Sequence, residues 1–83
     1  MEGNVYRVRQ NNTLDREDGT SLVFGTCPFS QKTYQVIVET SALRQFMNGA
    51  HAQNAFPDLN RDDREFLISG ISPEGWRGAF GNK

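Results

Sequence analysis

With a single cysteine, Cys27, the 83-residue chain cannot form an internal disulfide, and a reducing compartment suits it. No apolar run approaches the length of a membrane span, and the opening MEGNVYRVRQ lacks the hydrophobic segment of a secretory signal. These absences predict a soluble, cytoplasmic protein with no membrane partner. Excess charge is lacking too: nine basic and ten acidic side chains leave a net charge of −1, which offers no overall field to a phosphate backbone. Nucleic acid is therefore a disfavoured partner. Gly70, Gly75, Gly78 and Gly81 are spread through helical signals and do not follow a strand, so no phosphate-binding loop is formed. Apolar residues make up only 36%, but aromatics reach 11%, which fits one domain, residues 1–83, with a small core built on a few large rings.

The densest signals lie in residues 53–81, QNAFPDLNRDDREFLISGISPEGWRGAFG. Asn60 is placed to cap a helix over 61–69, with Asp62 and Asp63 at the positive end of its dipole. Phe66, Leu67 and Ile68 supply its apolar face, and Gly70 closes it in the left-handed conformation. Ser72 before Pro73 repeats the start signal for a shorter helix, on which Trp76 and Phe80 share a face and Gly81 is the stop.

From the N-terminus, Val5, Tyr6 and Val8 among Arg7 and Arg9 suit an edge strand carrying charge on its wet side. Residues 10–20, QNNTLDREDGT, read as a polar hairpin loop with an acidic tip, and 21–26 as a second strand antiparallel to the first. After the tight connection CPFSQK, residues 33–39 alternate Tyr34, Val36 and Val38 against Gln35, Ile37 and Glu39, the pattern of a central or well-covered strand. Thr40 or Ser41 caps a helix through Asn48, with Leu43 and Phe46 on its inner face and Gly49 as its stop. A further helical turn is compatible with 50–56, ahead of Pro57. The expected fold is α+β: an antiparallel sheet of about three strands followed by short helices packed on one face.

The phrase AFPDLNRDDREFLISGISPEGWRGAF resembles a small phage-encoded protein type with a zinc-ribbon-like pattern, in which Cys-x-x-Cys precedes a strand and Cys-Pro-x-Cys-Trp follows REFLISG. The likeness covers roughly residues 24–81. It places the first knuckle on Cys27 and Ser30 and the second on Ser72 and Gly75, with Pro73 and Trp76 in register. Serine hydroxyls and glycine cannot replace thiolates around zinc. The resemblance thus implies an inherited fold without metal or cofactor, in a phage or prophage accessory protein.

The residue types that carry chemistry have plainer readings beside their functional ones. Cys27 is read as a small apolar residue before a reactive thiol, and His51 as a partly exposed histidine before a general base. Asp62, Asp63 and Glu65 are helix-start charge before an acid–base set, so no catalytic constellation is expected. Trp76 and Phe80 are read as core before an exposed hot spot. For partner binding the candidates are the acidic loop with Asp15, Glu17 and Asp18 and the strand bearing Arg7 and Arg9, although a solvated tip and edge protection explain them as well. The leading expectation is a non-enzymatic inhibitor that binds and obstructs a host protein or defence complex, as an anti-CRISPR does. The alternative is a metal-free ribbon that binds nucleic acid; a small enzyme ranks third. Homodimerisation through a strand edge would ease the shortage of core.

Overall fold

The computed structural model describes residues 5–80, without the side chains of 79 and 80. Four strands, β1 (Val5–Val8), β2 (Asn11–Asp15), β3 (Thr20–Thr26) and β4 (Thr33–Glu39), precede four helices, α1 (Thr40–Met47), α2 (Ala52–Ala55), α3 (Arg61–Ser69) and α4 (Pro73–Phe80). The strands lie in the order β1-β2-β3-β4, each antiparallel to its neighbour. The fold is α+β, with one strand more than the sequence suggested.

The extra strand is β2, inside the segment read as a loop. β1 therefore pairs with β2 and not with the strand after the acidic turn. The pattern was hidden because β2 turns polar residues inward: Asn11 and Thr13 are fully buried. Asn11 Nδ2 donates to the Phe66 carbonyl (3.0 Å), which also accepts from the Gly70 N–H at the end of α3. Asp15 accepts from the Tyr6 hydroxyl (2.7 Å) and from Ser21 Oγ (2.8 Å). Alternation in this strand is thus polar-in, with Leu14 on the other side.

β4, expected to be central or well covered, is instead the outer strand of the sheet. One of its faces is covered: Val36 and Val38 join Val8 and Val23 beneath Leu43, Phe46, Phe56, Phe66 and Leu67. Ring contacts tie this layer together, Tyr34 edge-on to Phe66 with centroids 4.9 Å apart and Phe46 to Phe56 at 5.6 Å. The strand's other side is open, and Ile37 there is 50% exposed.

The helix signals are realised with one exception. Asn60 Oδ1 accepts from the Asp63 N–H (2.8 Å), and Gly70 ends α3 at φ 80°, its N–H on the Phe66 carbonyl. Ser72 Oγ caps α4 by accepting from the Gly75 N–H (3.1 Å). α1 is the exception: its cap position is Glu39, with no side-chain cap bond. Thr40 is drawn away because its N–H reaches the Gly19 carbonyl and its hydroxyl meets Ser21 Oγ. The Phe80 and Gly81 signals fall outside the described residues.

Candidate protein-interaction surface

Strand register sorts the sheet's side chains into two faces, since directly paired residues share a side. The covered face holds every buried strand residue. The opposite face carries a row that crosses all four strands, Val5–Leu14–Leu22–Ile37, and beside it the row Arg7–Asn12–Phe24–Gln35. Not one of these eight residues is buried: Val5 is 55% exposed and Ile37 50%, while Leu14, Leu22 and Phe24 are half-buried by their neighbours. Leu43 and Phe46 of α1 pack on the other face, in one core with Val23, Val36 and Val38 of β3 and β4. The open face therefore carries a row of four aliphatic side chains flanked by a phenyl ring, none of them buried. Such patches mark interaction sites on soluble domains.

The sequence candidates fall around this face unevenly. Arg7 stands on it, next to Val5. Arg9 does not: it occupies the two-residue β1–β2 turn at φ 60° and lays its guanidinium 4.9 Å from the centre of the Phe46 ring. The acidic trio is also split. Glu17 and Asp18 sit on the exposed turn 16–19, where Asp18 Oδ1 accepts from the backbone and hydroxyl of Thr20. Those bonds hold the Asp18 carboxyl below the usual range. Asp15 belongs to β2 and faces the helix side. The hydrogen bond from Tyr6, then that from Ser21, lowers its pKa, and Arg44 lies 3.8 Å away. In turn, burial and the bond to Asp15 push the Tyr6 phenol up to about 12.

The four positions aligned with zinc knuckles meet in space, although they come from the β3–β4 connection and the start of α4. Ser30 N–H points at Cys27 Sγ (3.5 Å), Ser30 Oγ lies 3.5 Å from Ser72 Oγ, and Gly75 packs so closely that an added Cβ would overlap the sulfur. Burial pushes the Cys27 thiol up, but bonds from the Ser30 backbone and the Ser72 hydroxyl outweigh it and bring the thiol down to about 6. One thiol, two hydroxyls and a hydrogen do not supply the four nitrogen or sulfur donors of a structural zinc site. Cys27 is fully buried and His51 is exposed. Among the described residues, no three His, Cys, Asp or Glu side chains gather at metal-binding distance.

The open face itself went unrecognised in the sequence. Its signal is present in β3, where Leu22 and Phe24 alternate with Ser21 and Val23, but each phase of that alternation mixes apolar and polar residues. No family model, curated protein or solved structure matches the chain. No described helix is long and apolar enough to cross a membrane.

Proposed function

We propose that this chain is a non-enzymatic binding module that docks on a protein through the open face of its sheet and thereby obstructs it. The observation that carries this reading is the uncovered row Val5–Leu14–Leu22–Ile37, with Phe24 beside it and Arg7 at its margin. Interface cores are built from aromatic and aliphatic anchors inside a polar rim, and here Asn12, Gln35, Thr20 and Glu39 supply that rim. Glu17 and Asp18, on the turn at one end of the face, extend it with negative charge.

The phage-type phrase running through α3 and α4 supports placing the module among host-takeover inhibitors, of which anti-CRISPR proteins are one kind. The convergence of Cys27, Ser30, Ser72 and Gly75 supports the same origin: a knuckle whose metal has been replaced by direct packing. The target in this reading is a protein or defence complex in the host cytoplasm.

Capture from a nuclease-treated bacterial lysate tests the proposal, using the wild type, Leu22→Lys/Ile37→Lys and Glu17→Lys/Asp18→Lys. A partner retained by the wild type and lost by the Leu22/Ile37 variant is the expected result. Equal capture by that variant would remove the face from the mechanism. Loss of every partner on nuclease treatment would favour the metal-free nucleic-acid ribbon instead.

A further inference from the structure

Charge around the open face selects one particular occupant. Arg7, on β1, and Glu39, on β4, are exposed and occupy diagonally opposite corners of the face. The register separates them by three strand spacings and by four residues along the strands, since Arg7 lies one row above Val5–Leu14–Leu22–Ile37 and Glu39 one row below. Three spacings of about 4.8 Å and four rises of about 3.4 Å are both close to 14 Å, so the diagonal runs at about 45° to the strands. Between these corners the face is uncharged and apolar at its centre.

Resting on the docking reading above, we infer that in the free protein this face is covered by a second copy of the chain. The two sheets pack face to face with strands near 90°, about a two-fold axis that crosses the Arg7–Glu39 diagonal. Among two-fold axes in the plane of the contact, charge separates those along the strands, along the row and along the two diagonals. An axis along the strands, or along the row, leaves each Arg7 about 14 Å from the other copy's Glu39, beyond a Debye length. An axis along the diagonal superposes Arg7 on Arg7 and Glu39 on Glu39, which is repulsive. The axis perpendicular to the diagonal exchanges the two corners and makes two identical Arg7–Glu39 pairs. The same operation brings Phe24 over Ile37 of the other copy and interleaves Leu14 and Leu22 at the centre.

Near-orthogonal crossing is one of the two standard ways for sheets to pack. The contact is self-complementary, as a closed two-fold dimer requires. A face about 19 Å wide and about 23 Å along its longer strands gives a patch on the order of 400 Å² in projection on each copy. That is at the low end for a specific interface, so dimerisation is weak and reversible. A host protein that uses the same face must displace the second copy. Dimerisation and docking are therefore mutually exclusive, and the dimer holds the apolar row out of water until the target arrives.

Sedimentation velocity over about 1 µM to 1 mM tests this on the purified chain, with circular dichroism confirming the fold of each variant. The wild type should dimerise; Arg7→Glu alone and Glu39→Arg alone should each weaken the dimer at least about tenfold by making two like-charge pairs. The double swap R7E/E39R should restore it to within about threefold, because both pairs are re-formed with reversed sign. A wild type that stays monomeric to 1 mM, or a double swap no better than the single variants, would overturn the dimer. Neither of those results touches the docking reading, which fails if the Leu22→Lys/Ile37→Lys variant captures the same lysate partner or if nuclease treatment removes every partner.

Discussion

Replacing Asp15 with alanine removes the shared acceptor of two hydroxyls, those of Tyr6 (2.7 Å) and Ser21 (2.8 Å). Hydrogen bonds to a charged group contribute about 1.5–3 kcal/mol each. The full sum is not reached. Ser21 keeps a second partner in Thr40 Oγ1, and Tyr6 is only half-buried and regains water. Arg44, 3.8 Å away and largely exposed, adds little. The net cost is about 2 kcal/mol, a large share of the roughly 4–12 kcal/mol that a chain of this length commands. Urea denaturation at neutral pH measures it, and a cycle with Tyr6→Phe should return a coupling of about 1 kcal/mol. The pH dependence has a definite sign. Since the folded-state pKa of Asp15 is lowered, its contribution is fully present above the unfolded value near 3.8 and disappears as pH falls through the lower folded value. Asp15→Asn should flatten that acid limb. If Asp15→Ala and Tyr6→Phe both stay within about 0.5 kcal/mol of wild type, the network is not structural and the reasoning fails. Should the cost be as stated, reversing Asp15 together with Glu17 and Asp18 would weaken the sheet as well as change the surface, so Glu17 and Asp18 are the residues to reverse in a binding test.

The alkaline limb is set by tyrosines. Tyr6 and Tyr34 each donate to a carboxylate, the second to Asp63 at 2.6 Å, and both phenols are raised to about 12, so their stabilisation holds below pH 10 and is lost between pH 10 and about 12. Tyr6→Phe/Tyr34→Phe should therefore unfold less steeply with pH in that window, as followed by circular dichroism. Gly75→Ala should cost about 2 kcal/mol, because the new methyl group overlaps Cys27 Sγ; on a Cys27→Ala background most of that loss should vanish, and thermal melts of the four proteins would show a persistent loss if sulfur is not the obstacle. Ser30→Cys/Ser72→Cys/Gly75→Cys should bind one zinc ion by equilibrium dialysis where the wild type binds none. Failure of the four thiols to hold zinc would argue against a knuckle origin for this corner.

Local chemistry that completes itself within a few residues was readable in advance. Asn60, Gly70 and Ser72-Pro73 announce the ends of α3 and the start of α4 because a cap needs only its own turn. β2 was not readable, because its inward Asn11 and half-buried Asp15 are satisfied by partners at Phe66, Tyr6 and Ser21, one of them 55 residues away. Polar residues whose bonds are supplied by tertiary contacts look like loop in sequence. The open face was illegible for a related reason. Val5, Leu14, Leu22 and Ile37 are single apolar residues in four separate strands, and only the register makes them neighbours. Of the earlier candidates Arg7 alone lies on that face; Arg9 is spent on Phe46 and Asp15 on the covered side.

The simple strand order also bears on how the chain reaches its native state. Connections of two, four and six residues join β1 to β2, β2 to β3 and β3 to β4, so the whole sheet closes without any long loop. Hairpins of this kind form in about 1–10 µs, well before residues 40–80 can be docked by slower collapse. During synthesis at about 5–20 residues per second, the sheet emerges seconds ahead of its helices, with Val23, Val36 and Val38 bare on one side and Leu14, Leu22 and Ile37 on the other. Arrival of α1 and α3 hides only the first set. Nascent chains are therefore most prone to aggregate in that interval, and the second hydrophobic set remains a lasting demand on whatever binds it.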